Sequence, residues 1–277
     1  MKVLFVVLGL ILIFVLIYIV VICPRILKKP DRTAFLGVHY AHRGLFDNDT
    51  NAPENSLNAI QKAVENGYGI EFDVQLSKDD VPVIFHDASL KRMCGMKGNI
   101  WEYTMEELQK MKLANSDQTI PTLAEVLKAV DGKVPLIIEY KMDRVDTKIC
   151  ELGNECLKSY KGPYCIESFH PWAVKWYRQH RTDILRGQLS ENFGRHGRKG
   201  FLMWIMTYLL TNVITRPDFI AYRHNDADNI SRKLCKLLGG ISVAWTIRSQ
   251  KEYENAKAHF DLFIFDSCIL ENPNKEG

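Results

Sequence analysis

No disulfide framework can be read from this chain. Its cysteines number seven, an odd count, and their spacing matches neither a disulfide scaffold nor a zinc site. Cys150 and Cys156 read as neighbours near one helix face. No excess of one charge sign is present either. Thirty-six Lys and Arg against 33 Asp and Glu leave a formal +3, too little for a nucleic-acid footprint, so no nucleic-acid partner is expected. Internal repeats and low-complexity tracts are missing. So is a Gly-x-Ser-x-Gly elbow, which argues against a serine acyl hydrolase. What remains is ordinary globular composition, 47% hydrophobic and 25% charged, with length for one large core.

Charge is absent altogether from residues 3–22, VLFVVLGLILIFVLIYIVVI. At ~1.5 Å per residue this run crosses the ~30 Å hydrocarbon layer. A cleaved signal peptide has a shorter apolar part, ~7–15 residues, and ends in small residues. Here the run ends in Val-Val-Ile-Cys-Pro with no Ala-x-Ala site. The reading is an uncleaved single-pass anchor over 1–23, a basic linker over 24–36 and a catalytic region over 37–277. Only Lys2 precedes the span, whereas Arg25, Lys28, Lys29 and Arg32 follow it. Positive flanks stay in the cytoplasm, which places the catalytic region there.

Beyond the linker, apolar strand-like runs alternate with amphipathic helical stretches. The runs cover 36–41, 68–74, 135–140, 163–169, 183–189, 218–222, 241–247 and 260–266. Helical patterns cover 55–67, 122–132, 146–159, 171–180 and 249–259, several opening on Ser, Thr, Asp or Pro. One further run, 81–87, follows the second strand after four residues, too few for a parallel crossover. It must turn back as a hairpin. Eight β/α units predict an α/β fold: a (β/α)8 TIM barrel with a β-hairpin insertion after strand 2, preceded by one transmembrane helix. A doubly wound open sheet is the alternative.

A barrel carries its active site at the C-terminal strand ends. There the sequence places His42 and Arg43, then Glu71 and Asp73, then Glu139 and Lys141, with the hairpin bringing back His86. Glu71 and Asp73 are two apart on a strand and share a face. Two such carboxylates repel unless a cation or proton lies between them. With Glu139 they suit one hard divalent ion, Mg2+ or Ca2+, completed by water and phosphate. His42 and His86 can serve as base and acid. Arg43 suits bidentate phosphate contact, and Lys141 a point charge. A metal, two histidines and two cations describe a phosphodiesterase better than a glycosidase.

These residues stand in an ordered text: His42-Arg43-Gly44, Pro53-Glu54-Asn55-Ser56, Glu71-x-Asp73-Val74 and Val83-x-x-His86-Asp87. It continues as Leu90-x-Arg92, Ile120-Pro121-Thr122-Leu123, Ile138-Glu139-Tyr140-Lys141, Ser168-Phe169 and Trp245-Thr246. From about residue 37 to 270 the chain resembles the glycerophosphodiester phosphodiesterase family of the phospholipase C-like barrel type. The resemblance implies metal ligands Glu71, Asp73 and Glu139, and an acid/base pair His42 and His86. It implies that Arg43 and Lys141 hold the phosphate, Glu54 and Asn55 line the rim, and Trp245 faces the glycerol. The implied reaction takes a glycerophosphodiester and water to sn-glycerol 3-phosphate and an alcohol. The family's last strand usually ends Ile-Thr-Asp-x-Pro, whereas here it reads Ile264-Phe265-Asp266-Ser267-Cys268. Asp266 remains as a wall residue in an altered setting, and Ser56 replaces a Thr while keeping its capping ability.

Residues 201–214, FLMWIMTYLLTNVI, follow Arg195, His196, Arg198 and Lys199. They are too few to cross a bilayer and too apolar for an outer barrel helix. The expectation is an interfacial segment near the mouth, held on anionic lipid by the basic lead. The segment raises a lysophospholipase D-type enzyme, acting on membrane lysophospholipids, as the second reading. An inactive membrane-bound scaffold would lack a histidine or a ligand, and none is lacking.

Overall fold

The computed structural model describes residues 1–142 and 145–271, so the end of the predicted catalytic region, 272–277, lies outside the described residues. Nine strands form in chain order: β1 (His39–His42), β2 (Gly69–Leu76), β3 (Pro82–Ile84), β4 (Leu136–Tyr140), β5 (Tyr164–Ser168), β6 (Arg186–Ser190), β7 (Phe219–Arg223), β8 (Ile241–Ile247) and β9 (Leu262–Phe265). Eight of them are parallel, and β1 pairs with both β2 and β9, which closes the ring. Closure excludes the open sheet. β3 pairs antiparallel with β2, Val74 opposite Ile84, as the short spacing required.

Both faces of these strands are buried, which is why the sequence shows continuous apolar runs. Tyr40, Ile137, Cys165, Leu189, Phe219, Val243 and Ile264 fill the interior. Ile70, Phe72, Val74, Ile138, Tyr140 and Ile166 pack outward under the helices. Gly187 sits where the interior is tightest. A Cβ there would lie 2.0 Å from the Phe219 ring. Gly187→Ala is therefore expected to destabilise the barrel by ~1–3 kcal/mol, the usual range for overpacking. Calorimetry checks this, and an unchanged Tm would mean that the Phe219 ring can move aside.

The predicted helices form, with N-caps at Ser56, Thr122 and Ser249 whose side chains accept the backbone N–H three residues on. Residues 83–120 build a satellite core of Val83, Phe85, Leu90, Met93, Ile100, Leu108, Leu113 and Ile120 beside the barrel. A helix absent from the sequence reading, Ile230–Leu237, links β7 to β8. The expected interfacial helix over 201–214 is instead two short helices, Phe201–Thr207 and Asn212–Thr215, broken at Leu209 with φ 56°. The first carries Phe201, Leu202 and Trp204 exposed, whereas the second exposes Val213 alone of its large apolar side chains; Met206, Leu209, Asn212 and Thr215 are buried. Arg195 is not free for lipid, because its guanidinium is paired with Asp228 at 2.6 Å.

One long apolar helix, α1 (Lys2–Ile22), precedes the barrel and could cross a membrane by length and composition. The basic stretch after it is not a loose linker. Arg25 N–H donates to Pro217 O and Lys29 Nζ to Gly239 O (2.7 Å), while Phe35 and Val38 plug the N-terminal end of the barrel.

Candidate active site

Glu71 and Asp73 on β2 and Glu139 on β4 point inward and are buried, with one carboxylate oxygen from each within 4.8 Å of the others. Asp73 stands level with Glu139 and Glu139 with Glu167 in the strand register. Glu167, which the sequence reading did not single out, is therefore a fourth buried carboxylate in the same layer. Two cations answer these four acids. Lys141 Nζ lies 2.7 Å from Glu139 and 2.9 Å from Asp73, and Arg43 Nε lies 3.4 Å from Asp73. Asn55 donates to Asp73 at 2.9 Å, and the Arg43 N–H to Glu71 at 3.3 Å. Arg43 and Asn55 both hold left-handed backbone, φ 57° and 61°, a strained state common at functional sites. Between them Gly44 is obligatory, because a Cβ would meet the Ala59 carbonyl carbon at 2.7 Å.

The charge does not balance locally, and the carboxyl groups respond. Burial, then Asp73, pushes Glu71 well above the usual carboxylate range, and burial raises Glu139 to about 7 despite Lys141. Burial would also raise Asp73, but Lys141, His86 and Arg43 hold it well below its ordinary value. Protons thus collect where a divalent cation would supply the missing charge. An all-oxygen, carboxylate-rich donor set of this kind fits a hard ion.

Each candidate histidine is held by its own carboxylate. His42 Nδ1 lies 2.8 Å from Asp266, with Nε2 turned toward Glu71 at 3.9 Å. His86 Nδ1 lies 2.7 Å from Asp87. Burial lowers both imidazole pKa values, so the neutral form is favoured. Asp87 and Asp266 are each lowered to about 2 against the effect of burial, chiefly by hydrogen bonds from Arg92 and His86 and from His42. Gln75 pins the hairpin by donating to the carbonyls of Phe85 and Asp87, both at 2.8 Å.

Three residues named in the sequence reading take roles it did not give them. Asp266 is no mere wall residue: it bridges His42 and Arg248, whose Nε is 2.9 Å away. Arg92 ties Asp87 to Glu54, both at 2.6 Å, and Glu54 also binds Arg43 at 2.8 Å. Glu54, expected on the rim, is thus a buried brace between the hairpin and the end of β1. Trp245 lies inside the mouth, edge-on to Phe169 with ring centroids 5.6 Å apart, its buried Nε1 without a hydrogen-bond partner among the described residues. Among the candidate residues only Trp245 stands on the far half of the ring.

The profile of the glycerophosphoryl diester phosphodiesterase family matches residues 42–258. Glycerophosphodiester phosphodiesterase 1 of Bos taurus is 34% identical, the match covering 91% of this chain and 83% of that one. The structure of a glycerophosphodiester phosphodiesterase from Thermotoga maritima superposes with a TM-score of 0.63 at 26% identity, over 83% of this chain and 95% of its own. A phosphodiesterase of Oleispira antarctica, solved with the product sn-glycerol-3-phosphate, gives 0.68 at 24% identity over 84% and 94%, a likeness of fold. The matched span holds all the candidate residues from His42 to Trp245, and the chain belongs to the glycerophosphoryl diester phosphodiesterase family of hydrolases.

Proposed function

We propose that this chain hydrolyses glycerophosphodiesters to sn-glycerol 3-phosphate and an alcohol, using His42 and His86 as the proton-transfer pair. The observation that carries the reading is two imidazoles, each fixed by its own carboxylate, at the rim that holds the buried acid cluster. Glu71, Asp73 and Glu139 hold one divalent ion, Mg2+ or Ca2+. When bound, that ion adds positive charge beside the phosphate and neutralises the acid cluster. One histidine takes the proton from the attacking oxygen, whether water or the vicinal glycerol hydroxyl. The other protonates the leaving alkoxide. Arg43 and Lys141 keep donors at the rim for the phosphate oxygens, and the charge that develops there meets a preorganised field. Asn55 orients Asp73, Glu54 braces Arg43, and Trp245 walls the glycerol side.

The test is release of glycerol 3-phosphate from glycerophosphocholine and glycerophosphoethanolamine. Absence of turnover on both with either metal present would refute the reading. Asp266 acts here as a positioning residue. Asp266→Asn offers an amide where Nδ1 needs an acceptor and is expected to lower kcat on the order of 10- to 100-fold, as for other groups that orient an imidazole. KM should stay near wild type, and Asp266→Glu should recover part of the rate. An equal loss in both variants with a raised KM would point to a collapsed wall instead.

A cavity of about 350 Å³ beside Lys141, walled in part by Leu76, Trp101, Met142 and Ile149, favours a second reading, a lysophospholipase D-type reaction in which the glycerol phosphate side carries an acyl chain. Lysophosphatidylcholine in the same assay separates the two. In either case residues 3–22 form a membrane span, the exposed first half of 201–214, the helix Phe201–Thr207, makes the interfacial contact, and the catalytic region is cytoplasmic.

A further inference from the structure

We infer that the open, catalytic end of the barrel faces the bilayer that holds α1, because the last turn of α1 is clasped alongside the helix Ile230–Leu237. The inference rests on reading residues 3–22 as a membrane span. Tyr18 Oη and Ser231 Oγ share a hydrogen bond of 2.6 Å, and one turn further Cys235 Sγ reaches Ile22 O at 3.2 Å. Four residues along one helix match four along the other, so the two run in the same direction. The helix Ile230–Leu237 starts near the C-terminal end of β7 and descends to the start of β8. Residues 2–17 of α1 therefore continue past the catalytic end, by roughly 24 Å at ~1.5 Å per residue.

The clasp has polar anchors. Asn212 Nδ2 donates to Ile22 O at 2.8 Å, and Arg216 Nη1 to Val20 O and Cys23 O at 2.7 and 2.9 Å. These are the carbonyls that a helix leaves open at its C-terminus. Barrel side chains close them, so α1 is a stalk with a set direction rather than a loose tether.

The surface where the stalk leaves is apolar. Phe201, Leu202, Trp204 and Ile230 are 77, 60, 51 and 53% exposed. Ile230 opens the helix on which α1 lies. Its cap Asn229 donates to the carbonyl of Thr207 (3.1 Å), the last residue of the helix carrying the other three. The Trp204 and Tyr208 rings lie against each other at a tilt, centroids 5.4 Å apart, and such rings favour the headgroup level. Lys199 leads into them and suits anionic headgroups, while Arg198 beside it is paired with Glu191 at 3.5 Å. A patch this apolar, continuous with a membrane-spanning helix, fits a bilayer surface. An amphiphilic phosphodiester would then pass from the leaflet into the mouth without crossing bulk water.

The test places the photocrosslinker p-benzoylphenylalanine at Leu12, Leu202 or Leu237 of the full chain in phosphatidylcholine/phosphatidylserine nanodiscs. Leu237 is 81% exposed and lies at the lower end of the same helix that Ile230 begins. Intact mass is expected to show lipid adducts at Leu12 and Leu202 and none at Leu237. Comparable adducts at Leu202 and Leu237, or adducts at neither, would overturn the orientation. No adduct at Leu12 would overturn it at its base, by removing the membrane span. Asn212→Ala with Arg216→Ala should cut the Leu202 adduct severalfold while the Leu12 adduct persists; an unchanged Leu202 yield would remove the clasp as the cause. Glycerophosphocholine turnover by the same nanodiscs is measured in parallel and is expected to be unchanged in the double variant, so a failed activity and a failed orientation are read separately.

Discussion

His42→Ala and His86→Ala are each expected to lower kcat by ~10²–10⁴-fold, the usual loss when a general acid or base is removed. The fold should survive both changes, because each carboxylate left behind keeps a cationic partner. Asp266 retains Arg248 at 2.9 Å, and Asp87 retains Arg92 at 2.6 Å. Neither substitution leaves a buried charge unpaired, the condition that makes a truncation strongly destabilising. Choline release gives the rate and calorimetry gives the Tm. A near-normal rate in either variant removes that histidine from the mechanism. A collapsed Tm would instead assign the loss to folding. The two variants should differ in one respect. His42, with a side chain 15% exposed, is packed deeper than His86 at 33%, so His42→Ala should show the larger fall in Tm.

The barrel is legible in the sequence because strands buried on both faces leave uninterrupted apolar runs, and eight such runs separated by helices leave few topologies. The metal candidates are legible for a related reason. Glu71, Asp73 and Glu139 interrupt those runs at inward positions, where an unpaired carboxylate would be costly. The pairings that tune the histidines follow a different logic. His42 and Asp266 are 224 residues apart and meet only because β1 and β9 close the ring. Glu54 and Arg92 are 38 apart and meet only because the hairpin folds over the rim. No local pattern encodes such contacts.

The break within 201–214 is hidden for the opposite reason. Its apolar content is local and strong, but hydrophobicity carries no mark of the left-handed turn at Leu209 that sends the second half into the barrel wall. The helix Ile230–Leu237 is obscured by its three basic residues, two of which turn out to be bound. Arg232, almost wholly buried, donates to Ser242 Oγ at 2.9 Å and Lys236 to His259 O at 3.1 Å. A charged residue there reads as solvent-facing until the neighbouring strand is in place. The clasp on α1 is likewise invisible, since Asn212 and Arg216 find their acceptors about 190 residues away.

Exhaustive chelation is expected to stop turnover, with activity returning on addition of Mg2+ or Ca2+. The physical case is the imbalance between four buried carboxylates and two cations in one layer. Without a divalent ion the cluster must carry protons, as the raised Glu71 and Glu139 indicate, and its chemistry is altered. Glu71→Gln and Asp73→Asn should each weaken metal affinity, but their effects on the metal-free protein should differ. Glu71 faces Arg43 only through a backbone N–H at 3.3 Å and is held protonated in the metal-free cluster, so Glu71→Gln should leave the apo Tm near wild type. Asp73 accepts from Lys141 and Asn55, so Asp73→Asn strands Lys141 on Glu139 alone and should lower the apo Tm. Saturating metal should stabilise the wild type by RT ln(1 + [L]/Kd), ~2.7 kcal/mol at a hundredfold excess over Kd, and both variants less. The thermal shift reads binding independently of catalysis. A fully chelated protein that turns over at the wild-type rate, and shows no shift with either ion, would give the three carboxylates another task.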